Sequence, residues 1–149
     1  MSGPKKMTRY PRPPEASSWE GPVVVRGWLR VRSPWAHPVA AAILIRKWRR
    51  VRRSLNTAPG FRFFEYWQRL DQLLFGMHVG WSNQVELALF DDHETHRDIA
   101  TWAIRSTLVV AMKLESFGVM DDGRVIRLGG FHMAAVGADL PNDELLPSS

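Results

Sequence analysis

At 149 residues and 17.1 kDa, with 45% hydrophobic and 23% charged residues, the chain is one domain's worth of sequence with enough apolar residues for a real core. It has no cysteine, which excludes disulfides, zinc–thiolate and iron–sulfur sites and cysteine nucleophiles. The net charge of +5 is uneven: residues 1–56 carry 13 lysines and arginines against Glu15 and Glu20, and residues 57–149 carry 7 against 13 acids, an asymmetry that can accompany nucleic-acid or membrane contact.

Residues 1–22 are rich in proline and basic residues, without the apolar core of roughly 7–15 residues that a signal peptide needs. They read as a flexible tail. The longest apolar run, residues 39–45, is far shorter than the roughly 20 residues of a membrane span, so no transmembrane segment and a cytoplasmic location are expected. Residues 23–31 begin as a β-branched run and end with Trp28, Arg30 and Arg32 alternating against Leu29 and Val31, the pattern of a central strand with one buried face. Pro38 suits a first helical turn. Ala40, Ile43/Leu44, Trp48, Val51 and Leu55 then recur at helical spacing, predicting a helix over 38–55 with Arg46, Lys47, Arg49, Arg50, Arg52 and Arg53 opposite.

The aromatic run 61–67 reads as a strand; residues 68–75 fit either a helical turn or a long hairpin connection. Alternation over 79–90 predicts a second strand with Val79, Trp81, Asn83, Val85, Leu87 and Leu89 on one face. Acidic residues from Asp91 open a second predicted helix over 92–115, closed near Gly118. Residues 124–136 alternate as a last strand, and the polar, acidic residues 138–149 read as a second flexible tail. The predicted order over 23–137, β-α-β-β-α-β, is that of an α+β, ferredoxin-like domain.

Thr57-Ala58-Pro59-Gly60-Phe61 at the end of the first helix, the aromatic strand after it, and Trp81 followed by Phe90-Asp91-Asp92 resemble the dimeric α+β barrel superfamily. That superfamily includes the antibiotic biosynthesis monooxygenases, and the spheroidene monooxygenase-like members are the most similar in pattern. The resemblance implies a homodimer joined through its sheets, with a cavity between sheet and helices in each protomer. It also implies oxidation or rearrangement of apolar aromatic or polyketide-like substrates, a monooxygenase or cyclase activity in secondary metabolism. Several members use no cofactor and others use haem, so no cofactor is expected here, with haem as the alternative. A Trp and an Asn often stand in the cofactor-free cavities, and Trp81 and Asn83 are the matching positions.

Several residues carry candidate chemistry. His132 could be a general base or a haem ligand, since an unperturbed imidazole changes charge near neutrality, and alternation sets it on the face opposite Arg127. Asn83, a polar residue on an apolar face, could stabilise an oxyanion. Trp81 would stack against a substrate, with Trp67, His78, Trp28, Trp102 and Arg127 as the surrounding binding wall. His93-x-x-His96 lacks the ligand spacing of a strong metal motif, so no metal is expected. The basic face of residues 46–53 supports a different class of function, a binding module for nucleic acid or an anionic membrane. It reads first as a solvated arginine-rich face, and no nucleic-acid partner is expected.

Overall fold

The structure, a computed structural model, describes residues 5–135. In chain order these form β1 (Lys5–Arg9), β2 (Val23–Val31), α1 (Ala36–Thr57), β3 (Phe61–Arg69), β4 (Leu74–Trp81), α2 (Gln84–Asp91), α3 (Glu94–Arg105), β5 (Val109–Val119) and β6 (Val125–Ala135), with short 3-10 turns at Pro14–Ala16 and Leu70–Gln72. All pairings are antiparallel, in the sheet order β1-β6-β5-β2-β4-β3. The four strands β5-β2-β4-β3, with α1 and the α2–α3 pair as crossovers, are the ferredoxin-like unit; β6 and β1 widen its sheet. The expected fold class, α+β and ferredoxin-like, is the one observed.

Alternation along the central strands gives the sheet two different faces. Val23, Val25 and Val31 of β2 and Phe75, Val79 and Trp81 of β4 pack with Ala40, Leu44, Val51 and Leu55 of α1, Phe90 of α2 and Ile99 of α3. The α1 members recur at helical spacing, so burying them on one stripe satisfies helix and sheet together. On the opposite face Trp28, Leu74 and Ala111 form a second cluster with Trp67 and Ala134, to which no helix contributes. The turn after α1 requires Gly60: its φ is +77°, and a Cβ there would collide with the Glu86 side chain.

Four boundaries differ from the sequence reading. The strand expected over 79–90 stops at Trp81, because the Asn83 side chain accepts a hydrogen bond from the Glu86 N–H and starts α2 instead. Its alternating apolar residues therefore sit on a helix, with Val85 and Leu89 exposed. The helix expected over 92–115 ends at Arg105; after the Ser106 turn, the β-branched Val109-Val110 begins β5, which pairs along the length of β2. That strand takes the fourth ferredoxin position, so the segment 124–136 is its added hairpin partner. Finally, the tail expected over 1–22 supplies β1, paired with β6. Residues 138–149, read as an acidic tail, lie outside the described residues.

β1 has no hydrophobic signature, and a lysine helps to hold it. Lys5 Nζ donates to the carbonyl oxygens of Ala103, Ile104 and Ser106 at 3.1, 2.9 and 2.8 Å. These lie at the C-terminal end of α3, where a cation complements the helix dipole and the last carbonyls lack intrahelical partners.

Candidate active site

Between the sheet and the helices lies a cavity of about 430 Å³, within the size range of small-molecule sites. Gly27 and Leu29 of β2, Met77 and Trp81 of β4 and Leu114 of β5 contribute to its floor, and α1 and α3 roof it with residues such as Trp48 and Ile99. Gly27 matters here because it adds no side chain to the floor.

The polar side chains in this largely apolar lining include Arg12, Tyr66, Asp91 and His96. Asp91 ends α2 and His96 lies in the first turns of α3, so the short break between the helices brings them together. Phe90, buried against Trp81 with ring centroids 5.2 Å apart, anchors the junction. His93 stacks on Phe90 and caps α3, its Nδ1 accepting the Thr95 N–H at 3.2 Å, while His96 meets the same ring edge-on.

His96 Nδ1 donates to the Asp91 carbonyl oxygen at 3.2 Å, and Nε2 lies 3.5 Å from Asp91 Oδ1. The Nδ1 N–H is thus turned to the carbonyl, which leaves Nε2 facing the carboxylate at ion-pair distance. Although the Asp91 side chain is half exposed, at 52%, its partial burial pushes the carboxyl above its ordinary value; His96 opposes that shift and Asp92 adds to it. Two titratable groups of different type, set side by side at the wall of a largely apolar cavity, can take a proton from a bound molecule and return it.

Of the residues expected from sequence, Trp81 lines the cavity and Trp28 borders it. Trp102 packs at the edge of the core outside the lining. Asn83 is occupied as the α2 cap. His78 and Trp67 belong to the opposite face of the sheet: Trp67 covers Gly76, and His78 pairs with Glu65 at 3.7 Å.

His132 and Arg127 also lie on that opposite face, and together rather than apart. Tyr10 Oη and His132 Nδ1 are hydrogen-bonded at 2.9 Å, and the Arg127 guanidinium lies 4.6 Å from the centre of the Tyr10 ring. A register shift between Ser116 and Phe117 of β5 leaves Leu128 of β6 without an opposed residue. The bulge reverses the alternation between residues 127 and 132. Arg127 there pairs with the buried Glu115 at 2.8 Å, which Lys113 approaches at 3.2 Å.

The same placements bear on haem. His96 lines the cavity, whereas His37, His78, His93 and His132 do not, and both His96 ring nitrogens are turned to Asp91. No imidazole nitrogen is presented to a group in the cavity, so these residues do not fit axial ligation of haem. Among the described residues there is also no group of three His, Asp or Glu side chains placed to hold a metal ion.

In the sequence His96 stands out as half of a His-x-x-His motif and Asp91 as the acid that opens a helix, with nothing to join them. The usable signal was the pairing of a helix-terminal acid with a histidine five residues later across a helix break.

No protein-family model matches the chain, and no curated protein matches it in sequence. Solved structures do match in fold. One is a protein from Caulobacter crescentus assigned provisionally as an antibiotic biosynthesis monooxygenase, with TM-score 0.58 and 14% identity over 72% of this chain and 97% of that one. Another is a mutant of SnoaB, a cofactor-independent oxygenase from Streptomyces nogalater, with TM-score 0.52 and 15% identity over 67% and 94%. A third is Rv0793 from Mycobacterium tuberculosis, with TM-score 0.56 and 14% identity over 70% and 100%. The resemblance read from the sequence thus holds at the level of fold: the chain has the ferredoxin-like α+β fold found in antibiotic biosynthesis monooxygenase-like structures.

Proposed function

We propose that the protein is a cytoplasmic, cofactor-independent enzyme of the monooxygenase or cyclase type, acting on an apolar aromatic or polyketide-like substrate. The observation that carries this reading is the Asp91–His96 pair at the wall of an otherwise mostly apolar cavity of about 430 Å³. The likeness in fold to a cofactor-independent oxygenase supports it. A location inside the cell agrees with the absence, among the described residues, of a helix long and apolar enough to cross a membrane.

In the proposed reaction the Asp91–His96 pair removes a proton from an activated CH₂ of the bound substrate. Trp81 supplies a stacking surface beside it. The resulting carbanion is conjugated with the substrate's own rings and reduces dioxygen, which is the oxidant and co-reactant. A C–O bond forms as the hydroperoxide, which then loses water. One oxygen atom stays as a carbonyl, the other leaves as water, and the proton returns through the pair; CH₂ plus O₂ gives C=O plus H₂O. Without oxygen, the same proton removal would start a ring closure. Arg12, in the lining and hydrogen-bonded to Gln84 Oε1 at 3.1 Å, is a cation available to a developing oxyanion.

The open sheet face supports the homodimer expected from the resemblance. It carries the second apolar cluster and the exposed Phe63, which covers Gly80. Light scattering on the purified chain tests that arrangement.

The activity is tested by oxygen uptake with anthrone-type substrates. Wild-type protein consumes one O₂ per substrate, and Asp91→Asn and His96→Asn lower the rate about 10²–10⁴-fold. Uptake that persists at the wild-type rate in both variants would remove the pair from the chemistry.

A further inference from the structure

The face of α1 turned away from the sheet is unlike the rest of the surface. At 3.6 residues per turn, Trp35, Val39, Arg46, Arg49, Arg50 and Arg53 fall within an arc of about 100°, and all six are exposed. The helix spans 22 residues, about 33 Å, and contains no acidic residue. Its N-terminal half presents Trp35, Val39 and the flanking Ile45 at 65%, 49% and 52% exposure. Its C-terminal half presents the arginines.

The neighbouring cations are engaged elsewhere: Lys47 bonds Asp98 of α3 at 2.7 Å, and Arg52 lies over the Phe64 ring. Arg46, Arg49, Arg50 and Arg53 instead border an open groove with Ala42 and Ile45, of about 410 Å³, and have no acidic partner among the described residues.

We propose that this face of α1 docks on an anionic lipid surface. The guanidinium groups meet phosphate headgroups, and Trp35, Val39 and Ile45 enter the boundary between headgroups and acyl chains. Charge complementarity alone would admit a nucleic-acid duplex. The apolar half of the same face decides between them, since a phosphate backbone gains nothing from an exposed Trp, Val and Ile, whereas an interfacial helix needs both halves. The buried stripe of α1 stays packed on the sheet, so the whole domain docks as one body. The proposal is independent of the cavity chemistry.

The test is flotation of the full chain with phosphatidylcholine vesicles, with and without one third phosphatidylglycerol. Binding is expected to the anionic vesicles only, weakening as salt rises. Reversing Arg46, Arg49 and Arg53 to Glu together should lower partitioning more than about 100-fold, and the milder triple change to Gln should lower it by a smaller factor. Trp35→Ser should lower it about fivefold, while Arg62→Glu, on β3, leaves it unchanged. Thermal melts confirm that the variants fold, and the Gln set serves if the Glu set does not. Equal binding to neutral vesicles, indifference to both arginine sets, or binding to duplex DNA without binding to vesicles would each overturn the proposal.

Discussion

Asp91 and His96 face each other across the break between α2 and α3, with Nε2 of the imidazole 3.5 Å from Oδ1 of the carboxyl. Neither helix alone could make this pair. Asp91 is the last residue of one and His96 lies near the start of the other, and Phe90, packed under both histidines of the junction, fixes the angle between them.

The raised Asp91 carboxyl sets the direction of the pH response. Partial burial is the leading cause, and because the side chain is half exposed, solvent screening limits the upward displacement from the ordinary carboxylate value of 3.8. Activity should therefore rise with pH along an acid limb displaced upward from that value, and Asp91→Asn should abolish the limb. Folding responds with the opposite sign. A carboxyl harder to ionise in the fold than in the unfolded chain lowers stability as pH rises from 3.8 through its raised value. Denaturant titrations across that window should show Asp91→Asn losing this decline. A decline of equal size in the variant would assign the effect to another group.

His78 gives the complementary case. It is buried on the open face of the sheet, its Nε2 has no partner among the described residues, and it faces Arg26 and Glu65. Burial lowers its titration below 6.5, Arg26 lowers it further, and Glu65 partly offsets both. The unfolded chain then takes up the proton first, so stability falls as pH drops from 6.5 toward the folded value. His78→Gln should flatten that fall. If dimerisation uses this face, acid should also weaken the dimer less in the variant, which light scattering at two pH values would read.

Lys5 ties β1 to α3 through three carbonyl oxygens. Lys5→Met keeps most of the apolar stem and removes the charge and the donors. It should cost about 1–2 kcal/mol, combining a lost charged hydrogen-bond set with the helix-terminus interaction. Hydrogen exchange should quicken at the C-terminal turn of α3 and in β1. Protection unchanged in both places would show that β1 is held by its pairing to β6 alone.

The fold was legible where periodicity and burial coincide. Val23, Val25 and Val31, and Ala40, Leu44, Val51 and Leu55, were placed correctly because each set faces one core. It failed where one pattern fits two periods. Val85, Leu87 and Leu89 alternate like a strand but sit on a helix begun by the Asn83 cap, and Val109 continues a helical count while starting a strand. β1 was invisible because Lys5-Lys6-Met7-Thr8-Arg9 has no buried stripe to announce it. The candidate site was less legible than the fold. Trp81 lies in the cavity lining, on the strand face expected for it, whereas His132 alternates with the cavity-lining Phe131 and so points to the other face; the bulge that no sequence count reveals moves Arg127 to that face, and Asp91–His96 depends on the angle of a helix junction.

Glycines on neighbouring strands separate cavity effects from stability effects. A Cβ at Gly27 would approach Leu114 Cδ1 at 2.9 Å and Met77 Cε at 3.3 Å, both at flexible ends, with the Lys113 carbonyl oxygen also at 3.3 Å. Gly27→Ala should therefore fold with small adjustments, and Gly27→Val should push methyl groups into the cavity and weaken an apolar ligand about tenfold or more. Gly76, one strand away, borders the cavity with its backbone, but a Cβ there would point to the opposite face and meet the covering Trp67 indole at 2.1 Å. Gly76→Ala should cost about 1–3 kcal/mol by displacing that ring, with ligand affinity unchanged, and Trp67→Leu should recover part of the loss. Fluorescence titration with a hydrophobic probe, beside thermal melts, measures both quantities. Equal loss of affinity in the Gly27→Val and Gly76→Ala variants would show that the cavity between sheet and helices is not the site that holds the ligand.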